Sequence, residues 1–356
     1  MATKPKLKEQ EEEAMLLQGQ ADILHYTYNF VESMALKCAV ELGIADIINS
    51  QGQPLTVHQI TEKIASPAAD IDNLSRLMRF LVQKNLFEAT TDTKSGDLLY
   101  GLTYSSKWLL RSEEQTLAPL VRLATLPSHV ASWLCLSQCI KDGGSGFEKA
   151  NGFSLYDERS GNQRSCFDEA MACISRIVMK AILSNYRDVF DGVGSIVDVG
   201  GGIGISVAEI VKSHPHIRGI NFDLPDVVAT APTYPGVTHL GGDMFNVIPN
   251  GDVIFMKAIL HNWSDEKCVT ILKNCRRAIH ERKGKIIIVD GVLQPDGDRK
   301  MDTVVQRYDL TMMAQTPSGK ERTEAEWKKL LSEGGFGRHE IIKIPSFLAL
   351  IEAYPE

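Results

Sequence analysis

With 356 residues, 44% of them hydrophobic and 23% charged, the chain has the apolar content of a globular protein and more length than one core usually takes. A net charge of −7 weighs against a polyanion as the main partner. The start, MATKPKLKEQEEEAM, has no apolar signal region, and no apolar run is long enough to span a membrane, so a cytoplasmic protein is expected. The seven cysteines show neither a CxxC pair nor metal-ligand spacing, which fits reduced thiols.

Taken in order, residues 1–20 are charged and are expected to form a flexible N-terminus. Ala21–Ile48 has helical periodicity with a possible break at Gly43, and its apolar residues include Ile23, Tyr26, Phe30, Met34, Leu36 and Val40. Such a face with no visible cover marks a homodimer surface. Pro54–Ile64 and Asp70–Phe87 read as two helices. The charged turn Thr91–Asp97 and the run Leu98–Thr103 follow, and the whole makes a winged helix-turn-helix. A DNA-reading helix should be basic, yet Arg76, Arg79 and Lys84 stand beside Asp70, Asp72 and Glu88, so this helix packs and does not read. Further helices fill Ser105–Ala150, and the segment Asn151–Asp157 leads to a helix over Gln163–Tyr186. On that helix Phe167, Met171, Ile174 and Val178 share one apolar face, which suits core packing or the wall of an aromatic pocket. The domains expected are thus 21–150, mainly helical, and 151–356, an α/β unit.

The second domain is organised around SIVDVGGGIG. A β-branched strand (Ser195–Val199), a turn holding Gly200, Gly201, Gly202 and Gly204, and a helix over Ser206–His214 open a nucleotide-binding α/β sheet. The next strand ends in Asp223, where such folds hold a ribose, and the one after it in Gly242-Asp243-Met244. Asp198 just before the glycines argues against a pyrophosphate and for a cationic cofactor, S-adenosylmethionine.

Asp252–Leu260 reads as a buried strand that runs into His261-Asn262-Trp263-Ser264-Asp265-Glu266. A helix over Lys267–His280 follows, capped by Ser264 or Asp265. The strand Lys283–Asp290, a helix Asp302–Ala314, a turn Gly319–Thr323 and a helix opened by a Thr323/Glu326 capping box come next. HEIIKIPSFLALIEAYP reads as a closing pair of strands. His261 and Asp290 both sit at strand ends, where ligands of such sheets gather, and Glu321 lies on a loop behind. An imidazole oriented by carboxylates can take a proton near neutral pH, and no glycine-flanked serine stands near to make a hydrolase.

From about Ala21 to Pro355 the chain resembles the plant small-molecule O-methyltransferases that methylate phenolic hydroxyls. The resemblance is carried by DVGGGIG (198–204), INFDLPDVV (220–228), GGDMF (241–245), MKAILHNWSDE (256–266), IIIVDGVL (286–293), GKERTEAEW (319–327) and the ending IEAYP. It implies a winged-helix dimerisation domain ahead of a Rossmann-like domain, mostly parallel with an antiparallel strand. The reaction implied is metal-free transfer from S-adenosylmethionine, which leaves S-adenosylhomocysteine. By position, Gly200, Asp223, Asp243, Met244 and Lys257 would hold the cofactor. His261 would be the base, oriented by Asp290 and Glu321, and Phe167, Met171, Ile174 and Met312 would line the acceptor pocket. Two departures from the family pattern stand out. Asn262 replaces an Asp common after the histidine, and it is expected to face away from the reacting proton. Asp290 stands where lignin-type relatives carry Glu. The overall look is that of the benzylisoquinoline alkaloid group, with isoflavonoid, flavonoid or phenylpropanoid phenols as alternative acceptors. A catalytically silent partner subunit and a DNA-binding regulator are the remote alternatives.

Overall fold

The computed structural model describes residues 4–156, 162–279, 284–297 and 299–356. Asp157, His280 and Lys283, at the edges of expected segments, lie outside the described residues. The chain forms two compact units that meet at Thr125 and Leu126.

The first unit opens with a helix from Lys4 to Glu41, so the stretch expected to fray is helical from Lys4. Leu, Gln, Glu, Ala and Met, all good helix formers, dominate it, and no helix breaker follows Pro5 until Gly19. The helix ends before Gly43, and Ile44–Gln51 continues as a separate helix. Helices Val57–Lys63 and Ile71–Gln83 follow, begun by the caps Thr56 and Asp70. Strands β1 (Leu55–Thr56), β2 (Phe87–Thr91) and β3 (Leu98–Leu102) form a small antiparallel sheet in the order β1-β3-β2. Leu74, Met78 and Leu81 point from the helix Ile71–Gln83 into a core shared with Ile44, Ile60 and Phe87.

The second unit takes in the helices Pro127–Trp133, Leu136–Asp142 and Gly146–Asn151. The boundary therefore falls well before residue 150. These helices pack on the helix Lys300–Gln315, and Gln315 Nε2 donates to Ser132 Oγ at 2.9 Å. The sheet of this unit contains β4 (Ser195–Val199), β5 (Arg218–Asp223), β6 (Val237–Gly241), β7 (Val253–Lys257) and β8 (Lys285–Asp290). Two short strands, β9 (Val292–Leu293) and β10 (Arg322–Thr323), pair separately, and β11 (Phe336–Lys343) and β12 (Ala349–Pro355) close the chain. The seven-stranded order is β11-β12-β8-β7-β4-β5-β6. From β8 to β6 the pairing is parallel, and β12 runs antiparallel to its neighbours β8 and β11. All five residues of β4 are buried, because helices cover both faces of such a sheet.

This order positions the site. From β4 the chain adds β5 and β6 on one side, then returns to add β7 and β8 on the other. The reversal leaves a crevice beyond the carboxyl ends of β4 and β7, the place where doubly wound sheets bind ligands. The glycine turn leaves β4 there, and Lys257-Ala258 leaves β7.

Candidate functional site

A single cleft of about 390 Å³ opens at that crevice. The glycine turn forms one wall with Gly200, Gly201 and Gly202, and Gly202 takes a φ of +59° with open space where a Cβ would stand. Asp223 at the end of β5 braces the turn: its Oδ2 accepts from Gly202 N and its Oδ1 from Leu224 N, both at 2.7 Å. Burial raises its pKa and these backbone bonds oppose the rise. Asp243 ties its own turn, accepting from Phe245 N and Asn246 Nδ2 at 2.9 Å. Asp243, Met244 and Lys257 also line the cleft, so all five expected cofactor residues lie on one cavity.

Asp198 joins them. It is 1% exposed, its Oδ2 has no hydrogen-bond partner, and burial lifts its pKa to about 7 against the pull of Lys257. Burial in turn lowers the Lys257 pKa, opposed by Asp198 and Asp290. The cleft thus contains a carboxyl and an amine whose charged forms burial disfavours and each other's charge favours.

Beyond β7 the chain makes a tight turn. Ala258 has a φ of +56°, uncommon for a residue with a Cβ, and is held by N donating to Val289 O at 2.9 Å. A 3-10 turn, Leu260–Asn262, follows and carries His261. Buried Arg322 locks it, donating to Leu260 O at 2.9 Å and Trp263 O at 2.8 Å while pairing with Asp265. Lys320 N donates to His261 O at 2.9 Å, and Gly319 approaches so closely that a Cβ there would stand 2.4 Å from that oxygen. The GKERT loop is therefore the clamp on the histidine, and only glycine fits at its first position.

The clamp brings three distant residues together. His261 Nδ1 lies 2.8 Å from Glu321 Oε1 and 3.5 Å from Asp290 Oδ1, with all three side chains buried. Burial, the largest influence, pushes the imidazole pKa down, but the two carboxylates outweigh it and the pKa lies above its ordinary value. Asp290 is raised to about 6 by burial and by the charge of Glu321. Among the described residues nothing bonds Nε2.

The expected acceptor wall divides. Phe167 and Met171 line the cleft, and Tyr156 meets Phe167 edge-on with centroids 6.2 Å apart. Ile174 and Met312 do not line it: they are 5% and 7% exposed and pack inside the unit. Helical spacing alone cannot separate the part of an apolar stripe that faces a cavity from the part that faces a core. The His261 ring is also set back, 5% exposed, while Ala258, Ile259, Asn262 and Trp263 around it form the wall. Asn262 belongs to that wall, and its Nδ2 donates to Ala258 O at 3.1 Å. His129 and Asp168 were not foreseen as cleft residues, and Asp198, read as an acid beside the cofactor, was not named among the residues that hold it. Asp198 carried a signal, its place directly before the glycines, whereas His129 carried none.

His261, Asp290 and Glu321 each offer a ligand atom, all within 4.8 Å of one another, so the trio could attract a cation. A magnesium ion keeps several waters, and a fully buried trio leaves no room for them. The 2.8 Å contact suits an imidazole N–H donating to a carboxylate.

Fold and site define a doubly wound α/β unit with a cleft at its switch point and an imidazole clamped between carboxylates beside it. Comparison gives the family. Residues 133–337 match the O-methyltransferase domain, and residues 24–112 match the O-methyltransferase dimerisation domain. The chain is 51% identical to (R,S)-reticuline 7-O-methyltransferase of Papaver somniferum, over 96% of this chain and 98% of that one. It is 49% identical to xanthohumol 4-O-methyltransferase of Humulus lupulus, over 96% and 97%. The fold matches CalO1, a methyltransferase in calicheamicin biosynthesis, with a TM-score of 0.83 at 24% identity, covering 96% of this chain and 99% of that chain. It also matches human N-acetylserotonin methyltransferase, with a TM-score of 0.82 at 23% identity over 95% and 98%. The chain belongs to the O-methyltransferase family and is an O-methyltransferase.

Proposed function

We propose that the second unit transfers the methyl group of S-adenosylmethionine to a phenolic hydroxyl of an aromatic secondary metabolite, with His261 as general base. The observation that carries this is the clamped imidazole, its Nδ1 bonded to Glu321 at 2.8 Å, on the segment whose Ala258, Ile259, Asn262 and Trp263 line the same cleft as the glycine turn. The cleft fits the cofactor. Open space over Gly202 admits a ligand against bare backbone, and the unpartnered Asp198 Oδ2 suits an ammonium or sulfonium charge. Asp223 would receive the ribose hydroxyls, Asp243 and Met244 the adenine, and Gly200 and Lys257 the rest.

Bound there, S-adenosylmethionine supplies a methyl group made electrophilic by its sulfonium, so the acceptor oxygen needs only to lose its proton. His261 takes that proton at Nε2. Donation from Nδ1–H to Glu321 fixes the tautomer that leaves Nε2 bare, and Glu321 and Asp290 stabilise the imidazolium that forms. Phe167 and Met171 present an apolar face to the aromatic ring. General-base help of this kind is worth about 10²–10⁴-fold in rate.

The 51% identity to a reticuline methyltransferase favours a benzylisoquinoline alkaloid as acceptor. The 49% identity to a xanthohumol methyltransferase favours a flavonoid-type phenol as second reading. Mass spectrometry of products after incubation with S-adenosylmethionine and a panel of alkaloid, flavonoid and hydroxycinnamate phenols tests both. No methylated product from any of them would refute the assignment.

We infer that the protein works as a homodimer in the cytoplasm. Ile23, Tyr26 and Phe30 are more than 60% exposed on the helix Lys4–Glu41, an apolar face that a second copy would cover. All seven cysteines are free, which supports a reducing compartment. Among the described residues no helix is long and apolar enough to cross a membrane. The helices Val57–Lys63 and Ile71–Gln83 and the hairpin β2–β3 of the first unit support a winged-helix reading. The pairing of Lys84 with Glu32 supports a role in assembly rather than in binding nucleic acid.

A further inference from the structure

Among the polar groups of the cleft that the methyl transfer does not use is the imidazole of His129. His129, on the helix Pro127–Trp133, is 6% exposed and lines the same cleft as Phe167 and Met171. Its ring packs edge-on against Phe147, with centroids 5.4 Å apart at 74°. Among the described residues the ring makes one hydrogen bond, Nδ1 with Ser128 Oγ at 3.4 Å, a long contact for such a bond. Nothing described bonds Nε2. Burial pushes the imidazole pKa down to about 4, so the ring is neutral where the enzyme works. It therefore offers a hydrogen bond without competing with His261 for the reacting proton.

The position is rigid. His129 O accepts from Ser132 Oγ at 2.6 Å, and Ser132 Oγ accepts from Gln315 Nε2 at 2.9 Å. Asn151 Nδ2 ties Ser128 O at 3.2 Å to Phe147 O at 3.0 Å. A ring nitrogen held in place in a cleft wall, without a protein partner among the described residues, is free to take a hydrogen bond from a ligand atom.

We propose that His129 is a specificity-determining residue: through Nε2 it hydrogen-bonds a second hydroxyl of the acceptor, other than the one that is methylated. A hydroxyl both donates and accepts, so it satisfies the ring in either tautomer, whichever way the Ser128 contact runs. An ether only accepts, and a bare ring carbon does neither. The acceptor class is thus an aromatic with at least two free hydroxyls, and the proposal rests on the methyl-transfer reading for the nature of its ligand.

The probes are reticuline, which has two phenolic hydroxyls, and its monodeoxy analogue that keeps the methylated hydroxyl. Dissociation constants by calorimetry and methylated product by mass spectrometry are read on the wild type, His129→Leu and His129→Gln. The wild type should bind reticuline about tenfold more tightly than the analogue, the worth of one neutral hydrogen bond. His129→Leu keeps the apolar contact with Phe147 and should abolish that preference, leaving the analogue's binding within about twofold. His129→Gln retains an amide near Nε2 and should keep most of it. Equal binding of the two probes by the wild type, or equal weakening of both in His129→Leu, would overturn the proposal and leave His129 a packing residue. A preference that depends on His129 but comes without methylated product would refute the methyl-transfer reading and leave the contact standing.

Discussion

Glu321→Gln keeps the length and hydrogen-bonding shape of the side chain and removes its charge. The wild-type contact is 2.8 Å long between side chains only 6% and 1% exposed. At that distance the bare attraction between imidazolium and carboxylate is about 6 kcal/mol with an effective dielectric near 20. Most of this is not lost in the variant, because the amide oxygen still accepts from Nδ1 and Asp290 remains at 3.5 Å. The difference between a charge-assisted and a neutral hydrogen bond is about 1–2 kcal/mol, which is roughly a five- to thirtyfold fall in kcat. The pH profile gives an independent readout. A base must be neutral to accept a proton, so kcat/KM falls as pH drops through the His261 pKa, which the two carboxylates hold above its ordinary value. Removing one carboxylate lowers that pKa, and the acid limb should move to lower pH. The assay is steady-state turnover of a phenolic acceptor at saturating S-adenosylmethionine from about pH 5 to about pH 9. A variant with wild-type kcat and an unmoved limb, or a limb moved upward, would show that Glu321 does not act on the proton-accepting ring.

His261→Ala should lower kcat by about 10²–10⁴-fold while the S-adenosylmethionine dissociation constant stays within about twofold; turnover at the wild-type rate would exclude His261 as the base. Gly202→Val should weaken S-adenosylmethionine at least about tenfold by forcing a β-branched residue into a φ of +59° and filling the space over the turn. Calorimetry reads that change, and unchanged affinity would remove the cofactor from this wall. Arg322→Met strands the Leu260 and Trp263 carbonyls, and urea unfolding should show a loss of about 3 kcal/mol, with less than about 1 kcal/mol counting against the clamp. Treatment with EDTA should leave activity unchanged, whereas a loss restored by added divalent metal would reassign His261, Asp290 and Glu321 as ligands.

What the residue order determined alone is local or periodic. The strand-glycine-helix unit at Ser195–Ser213, the Thr323/Glu326 capping box and the Ser264 cap depend on side chains reaching backbone within a turn, and they form as read. The closing antiparallel pair was equally legible, because β11 and β12 follow one another with a short connection. Tertiary packing decided the rest. Whether Phe167 and Met171 face the cleft while Ile174 faces the core depends on what lies opposite each turn of one helix, and spacing is the same for all three. The boundary near Thr125 follows from packing against the helix Lys300–Gln315, far along the chain. Arg322 as the clamp on His261, and His129 as a neutral ring in the cleft wall, arise only when segments distant in the chain are folded together. Burial then removes the water that would otherwise satisfy them, and that loss gives both groups their chemistry.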